Sequence, residues 1–241
     1  MEQNPILKLG PLAFNATLLY MTALSIVIVF VLVFIASRKM TLRPAGKQNV
    51  LEYVVELSSG IARDNLGAKE APRFSLFNFV LFSFLLIANN IGLLTHLEVA
   101  TKTGDLSYWS SPTSNATLTL TFAMLVLVLA NGLGVQQFGF GKYFKNAFIK
   151  DPVGIMLPLG LLEEFTNTLS LGLRIYGNIM AGEVMLGLIC QLGLLTWWTG
   201  PIGVILATLW IAFSIFISAL QAYIFVLLSN IYISHKILEE D

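Results

Sequence analysis

The chain has 241 residues, of which 56% are hydrophobic and only 12% are charged, and its mean hydropathy is +0.78. This composition excludes a soluble globular domain as the default and predicts a polytopic membrane protein. The formal net charge of +0 gives no reason to expect nucleic acid as a partner, and the single Cys190 offers neither a disulfide nor a metal cluster. We therefore expect no cofactor and no metal ion.

Three apolar runs in the first part of the chain are long enough to cross a bilayer, for which about 20 helical residues are needed. They lie at about 15–36, 74–96 and 116–137. Residues 1–11 lack the basic segment of a signal peptide, so we expect the first run to remain in the protein as a membrane span.

Between the first two runs, the sequence predicts an amphipathic helix at about 47–66. Apolar residues such as Val54, Leu57 and Ile61 recur at helical spacing, while charged residues take the other face. We expect this helix to lie in the membrane interface.

Two longer apolar runs follow, at about 152–198 and 202–234. As helices of roughly 45 and 33 residues they would reach about 65 and 50 Å, which is too long to stand upright in a bilayer. We predict two long tilted helices that form a hairpin, joined at Trp197 to Pro201. The predicted fold is thus a single all-α membrane domain, 1–241, with five membrane-crossing helices and one interfacial helix.

The basic residues predict the orientation of these spans, because cytoplasmic loops are rich in Lys and Arg. Two of them, Lys8 and Lys102, fall on one side. The others flank the opposite side: Arg38, Lys39, Arg43, Lys47, Arg63, Lys69, Arg73, Lys142, Lys145, Lys150 and Lys236. This distribution predicts an N-terminus outside the cell and a cytoplasmic C-terminus.

The fourth apolar run contains one cation, Arg174, which is costly inside a bilayer, by about 2.5 to 3.5 kcal/mol on insertion scales, and therefore indicates a functional site. At about 100° per residue, a polar stripe shares its face of the helix: Glu163, Asn167, Ser170 and Asn178. Glu183 lies about 180° away and roughly 13 Å further toward the outside. Polar groups on different faces of the two halves suggest two offset half-channels with the arginine as the barrier between them.

The last run carries a matching polar stripe, since four residues fall within about 60° of one another: Ser214, Ser218, Gln221 and Tyr232. We expect Gln221 to face Arg174 and to hydrogen-bond its guanidinium group. Asn89 and Asn90, on the 74–96 run, are further polar groups expected to line the outer path with Glu183.

These motifs resemble those of subunit a of bacterial F-type ATP synthases. The resemblance rests on Glu163-Glu164-Phe165, on the stretch from Leu169 through Arg174 and Asn178 to Glu183, and on Leu220-Gln221-Ala222-Tyr223-Ile224-Phe225. In the terms of that family, Arg174 matches the essential arginine, and three residues match its neighbouring polar positions: Asn178, Glu183 and Gln221. Glu163 and Glu164 match an acidic pair on the cytoplasmic side.

The chain departs from the family pattern at two places. Asn167-Thr168 stands where many members have a basic residue and a proline, and Ser214 stands where some have a histidine. A histidine relay is therefore absent, and Glu183 with water has to serve that function.

The resemblance implies a proton-conducting stator subunit in a bacterial plasma membrane. Its implied partners are a rotating ring of c subunits, the b subunits of the peripheral stalk, the rest of the complex and membrane lipid. The positive charge of Arg174 would favour the ionised form of each ring carboxylate as it passes, so that the carboxylate releases one proton and accepts another from the second half-channel. Whether the ion is H⁺ or Na⁺ depends mainly on the surroundings of the ring carboxylate, which belongs to another chain.

Two other functions remain open from the residues alone. A transporter could use Arg174 to bind an anion, but paired broken helices are missing from the pattern. A structural scaffold with buried ion pairs leaves the two matched polar stripes unexplained. Gly139-Phe140-Gly141-Lys142 lacks the spacing of a P-loop, so we expect no nucleotide chemistry and no catalysis by this chain alone.

Overall fold

The computed structural model describes residues 6–9, 12–38, 40–42, 46–94, 97–101, 104–141, 156–194 and 199–237. Five helices make up most of this part of the chain: α1 (Ala16–Ser37), α2 (Lys47–Leu94), α3 (Ala116–Phe138), α4 (Met156–Leu194) and α5 (Thr199–Ile237). Each of them contains a stretch that is long and apolar enough to cross a membrane. The prediction of a helical protein with five helices of this kind is confirmed.

Helices α1 and α3 begin at asparagine caps, which satisfy main-chain N–H groups that have no partner within the helix. The side chain of Asn15 accepts from the Leu18 N–H at 3.2 Å, and the side chain of Asn115 accepts from the Thr117 N–H at 2.9 Å. Helix α3 ends at Gly139, whose φ of 78° is readily adopted by glycine. The caps fix where these two spans start.

Helix α2 runs through the boundary expected between the amphipathic helix and the second span. Its first arm (47–66) and second arm (68–94) are separated by Gly67 alone, at φ 74° and ψ 165°. Pro72 lies inside the second arm, five residues after this break. The break at Gly67 therefore lies in the segment between the predicted interfacial helix and the predicted second span.

The core of the described residues lies where helices α2 to α5 meet. Leu85, Val126, Ile175 and Phe225, one from each helix, belong to one buried cluster, and Ile61 of the first arm belongs to it as well. A second cluster joins α2, α3 and α5 through Ala62, Leu66, Ala71, Phe74, Ala130, Ile233 and Ile237. The apolar side of the first arm thus packs against the helices of the same chain.

Helices α4 and α5 pack against each other in opposite directions, as three contacts at successive levels establish. A Cβ atom built on Gly203 would lie 2.7 Å from the Cα of Gly193, so the two backbones touch there. Further along, the Trp210 indole donates to the Gly182 carbonyl at 3.1 Å. Near the other end, Lys236 forms an ion pair with Glu164.

The connection between α4 and α5 differs from the predicted one. Residues 195–198 lie outside the described part, but Thr199 to Pro201 already belong to α5, which begins before the expected residue 202. Proline is tolerated there because main-chain N–H groups in the first turn of a helix have no intrahelical partner.

Two short antiparallel ladders are present that the sequence reading does not predict. Strand β1 (Ile6–Leu9) pairs with β2 (Leu12–Asn15), and β3 (Leu97–Thr101) pairs with β4 (Gly104–Trp109). The second ladder leads into a 3₁₀ turn at Pro112–Ser114 and so connects α2 with α3. It brings the segment 109–114 next to the end of α2.

Candidate functional site

Arg174 lies on an exposed face of α4. Five exposed residues form this face, which we call the Arg174 face: Ser170, Leu173, Arg174, Gly177 and Met180. The guanidinium Nη2 donates to Ser170 Oγ at 3.5 Å. Among the residues that the structure describes, Arg174 has no ion-pair partner.

The expected hydrogen bond between Gln221 and Arg174 is not formed. Gln221 is buried, and its Nε2 has no hydrogen-bond partner in the described part of the chain. The physical reason is the direction of the arginine, because long side chains on a helix point back toward its N-terminus. Arg174 accordingly contacts Ser170, one turn earlier, instead of reaching across to Gln221.

Glu183 is held at a junction of three chain segments. Its Oε1 accepts a hydrogen bond from the main-chain N–H of Ser111 at 2.9 Å. The Ser111 hydroxyl donates to the Asn89 carbonyl at 3.1 Å and accepts from the Gly92 N–H at 3.2 Å. We call this arrangement of Gly92, Ser111 and Glu183 the Glu183 junction.

Gly92 is required by the close packing of this junction. A Cβ atom at position 92 would lie 2.2 Å from the Ser111 nitrogen and 2.6 Å from Glu183 Oε1. No side chain fits in that space, so the carboxylate can approach the end of α2 only because residue 92 is glycine.

The segment before α3 is folded so that it presents Ser111 to Glu183. The Trp109 indole donates to the Ile91 carbonyl at 2.9 Å, which ties the segment to the end of α2. After Ser111, both the main-chain N–H and the hydroxyl of Ser114 donate to the Ser111 carbonyl. These local bonds fix the direction of the Ser111 N–H.

Polar side chains line the α2–α5 interface next to this junction. The Asn89 amide donates to the Ser218 carbonyl at 3.4 Å, and both residues are completely buried. Five buried side-chain atoms lack a hydrogen-bond partner within the described residues: Asn89 Oδ1, Asn90 Oδ1, Thr113 Oγ1, Ser218 Oγ and Gln221 Nε2. Buried polar groups are almost always hydrogen-bonded, so such a group of atoms marks places that bind water or a partner.

A small cavity of about 80 Å³ separates α4 and α5 beyond Arg174. Asn178 and Ser214 supply polar atoms to its wall, and Trp210 and Phe213 close it with aromatic rings. Since Trp210 also donates to Gly182, the residue before Glu183, the cavity lies between the Arg174 face and the Glu183 junction.

The two carboxylates of the acidic pair have different surroundings. Glu163 is exposed, whereas Glu164 is partly buried and forms an ion pair with Lys236 of α5. The two residues are therefore not equivalent in the structure. In the described part of the chain, no three His, Cys, Asp or Glu side chains are grouped as metal ligands would be.

Comparison with known proteins establishes the family to which this chain belongs. The ATP synthase A chain family matches residues 18–234. The chain is 47% identical to the ATP synthase subunit a of Enterococcus faecalis, over 100% of this chain and 99% of that protein. It is 44% identical to that of Enterococcus hirae, over 100% and 99%, and 47% identical to that of Streptococcus agalactiae, over 97% and 95%.

The chain belongs to the ATP synthase A chain family.

In this member of the ATP synthase A chain family, three of the contact residues described above are not identified by the sequence reading. Gly92 is a small residue in an apolar run and Ser111 is one of several serines in a short connecting segment. Their importance arises only when α2, the segment before α3 and α4 meet. Lys236 is used in the sequence analysis only as an orientation signal, but in the structure it forms an ion pair with Glu164. A glycine inside an apolar run is the one signal in the sequence that points to a close backbone approach.

Proposed function

We propose that this chain is the proton-conducting stator subunit of an F-type ATP synthase in a bacterial plasma membrane. Its membership of the ATP synthase A chain family supports an assembly with other ATP synthase subunits. The partners we propose are the ring of c subunits and the b subunits of the peripheral stalk. ATP chemistry belongs to other subunits, and this chain is not catalytic alone.

The observation that carries the proposal is the exposed guanidinium group of Arg174. It lies within a helix of membrane-spanning character and is bonded within the described chain only to Ser170, at 3.5 Å. A charge left without a carboxylate at that depth is costly, by several kcal/mol. A carboxylate of a passing ring subunit is the partner that compensates this cost.

The outer half-channel runs from the Glu183 junction toward Gln221. The unpartnered atoms of Asn89, Ser218 and Gln221 support this path, because water bound to them would continue the hydrogen-bonded chain that begins at Glu183. The cavity lined by Asn178 and Ser214 offers a second place for water near Arg174.

The inner half-channel uses Glu163 as its carboxylate. Its exposure on α4 supports this role, whereas Glu164 is engaged by Lys236 and acts to hold α4 against α5. The two paths open on different faces of α4, and Arg174 between them prevents a continuous proton leak.

The cycle follows from these charges. A ring carboxylate that arrives from the lipid is neutral, and the positive charge of Arg174 favours its ionised form, so its proton leaves through one half-channel. After it passes the arginine, it takes a proton from the other half-channel and can re-enter the lipid as a neutral group. Protons moving down their gradient thereby turn the ring, and ATP hydrolysis reverses the steps.

The proposed membrane placement follows the basic residues and the helix lengths. Helices α4 and α5 form a tilted hairpin against the ring, and the first arm of α2 lies in the cytoplasmic interface. Its exposed side carries Glu52, Glu56 and Arg63, which supports contact with water or lipid head groups. The N-terminus lies outside the cell and the C-terminus in the cytoplasm.

The test is ATP-driven proton pumping in membrane vesicles that contain the assembled complex. Arg174→Gln and Arg174→Ala are expected to abolish pumping while the complex still assembles. Arg73→Gln is the matched control, because Arg73 is an exposed arginine on α2 that bonds Gln136. Undiminished pumping by either Arg174 variant, with Arg73→Gln also normal, would overturn the proposal.

A further inference from the structure

Two asparagines outside the proposed proton path, Asn78 on α2 and Asn230 on α5, form a buried pair. Each amide donates to the side-chain oxygen of the other at 3.0 Å, and both residues are 0% exposed. Asn78 also donates to the Ser58 carbonyl at 3.4 Å, and Asn230 donates to the Val226 carbonyl at 2.7 Å. All four amide N–H groups and both side-chain oxygens therefore have partners.

Such a pair resists sliding of α5 along α2. A shift by one residue moves α5 by about 1.5 Å, and a shift by one turn moves it by about 5.4 Å, which breaks both mutual hydrogen bonds. Apolar side chains tolerate a shift of this kind because many registers bury similar areas. Two amides that are separated in the buried interface have no water with which to replace their lost hydrogen bonds. The free energy of a shifted register is therefore raised, whereas that of the native register is not.

The register of α5 also determines where Gln221 lies. Gln221 is nine residues before Asn230, so it lies about 13 Å along the axis and on the opposite face of the helix. Its own amide nitrogen has no partner, so this residue contributes little to fixing α5. The bond from Asn89 to Ser218 is a single contact at 3.4 Å. The Asn78–Asn230 pair is thus the strongest specific tie at this interface among the described residues.

We propose that Asn78 and Asn230 are positioning residues that set the register of α5 against α2, and with it the level of Ser218 and Gln221 beside Asn89. Through Ser58 the same pair attaches the first arm of α2 to the second arm and to α5. A buried asparagine pair fixes the alignment of coiled-coil helices in the same way, at some expense of stability. The functional part of this inference rests on the proposed proton path through Gln221.

The test replaces both asparagines with leucine, which leaves no unpaired amide in the core. The register is measured by thiol cross-linking of Asn89→Cys with Ser218→Cys in a Cys190→Ser background, and pumping is measured separately in the complex without these cysteines. Cross-linking is done on total membranes, so it reports the register whether or not the variant assembles. Asn65→Leu is the matched control, because the Asn65 amide bonds only to Ile61, within its own helix.

For Asn78→Leu/Asn230→Leu we expect the cross-linking yield to fall at least threefold and pumping to fall about fivefold, while Asn65→Leu changes neither. Each single leucine variant is expected to lower the amount of chain more than the double variant does, since it leaves one amide unpaired. A cross-linking yield equal to that of the parent would overturn the inference, whatever happens to pumping. A reduced yield with normal pumping would support the register role and contradict the placement of Gln221 in the proton path.

Discussion

Glu183 and Arg174 are nine residues apart on the same helix, yet their side chains are held in opposite ways. The Glu183 junction is built within the chain, with a main-chain donor at 2.9 Å and a glycine that admits it. The Arg174 face is exposed, and its cation has one hydrogen bond of 3.5 Å to a neighbour on its own helix. A group fixed by its own chain suits a stationary proton path, whereas a group left open suits a surface that meets a succession of partners.

The largest expected effect tests whether the Arg174 face approaches a partner closely. A Cβ at Gly177 would meet no atom of this chain within 4 Å, whereas one at Gly172, on the inner side of α4, would lie 2.9 Å from the Leu120 side chain. Gly177→Leu should therefore leave the amount of folded chain in the membrane unchanged but lower pumping by about 100-fold, near the upper end of overpacking costs of about 1–3 kcal/mol.

Gly172→Leu is the matched variant and should instead lower the amount of folded chain. Both quantities are measured by immunoblot and by proton pumping in vesicles. Normal pumping by Gly177→Leu would mean that no partner approaches this face.

The next effect concerns the Glu183 junction. Gly92→Ala places a methyl group within 2.6 Å of the carboxylate and closer still to Ser111, so the junction has to open. We expect pumping to fall about 30-fold, consistent with a penalty of about 2 kcal/mol for overpacking. The control is Gly60→Ala, since a Cβ there meets nothing within 4 Å. Equal pumping by the two alanine variants would contradict the importance of the close approach.

A smaller effect separates the Ser111 main-chain donor from its hydroxyl. Ser111 has φ −61° and ψ 133°, a backbone conformation that proline adopts without strain. Ser111→Pro removes the N–H that binds Glu183 and should lower pumping about tenfold, since a hydrogen bond to a charged group contributes about 1.5–3 kcal/mol. Ser111→Ala keeps the N–H and should lower pumping only about twofold. A larger loss in the alanine variant would assign the role to the hydroxyl instead.

The smallest effect compares the two members of the acidic pair. Glu163→Gln should lower pumping about threefold, because water can partly replace one exposed carboxylate in a wide path. Glu164→Gln should instead lower the free energy of unfolding slightly, by up to about 1 kcal/mol, as expected for a partly exposed ion pair. Lys236→Gln should have the same effect as Glu164→Gln, and the double variant should be no worse than either. Additive losses in the double variant would contradict the pairing.

Much of this fold is predictable from the sequence because a bilayer imposes strict conditions on a chain. A run of about 20 apolar residues has few structures available to it other than a spanning helix, so the five helices follow from composition. The break at Gly67 is harder to predict. The local sequence is equally compatible with a loop, whereas the structure has only a single glycine with a positive φ between the two arms. The two short ladders escape prediction for the same reason, since four to six residues carry little periodicity.

The site is predictable only in part. Arg174 and Glu183 are conspicuous because charges are rare in apolar helices, and this rarity alone makes them candidates. Ser111, Gly92 and the Asn78–Asn230 pair depend on contacts between segments far apart in the sequence. The expected Gln221–Arg174 bond fails because helical wheel angles specify a face but not the direction in which a long side chain extends.

The fastening of α4 to α5 at both ends has a mechanical consequence. Gly193 and Gly203 bring the backbones into contact at one end, and Glu164 and Lys236 join the helices near the other. Two rods that are joined at both ends bend together and are stiffer than either rod alone. If the proposed stator function holds, a sideways load applied at Arg174 is therefore shared by both helices instead of bending α4 alone.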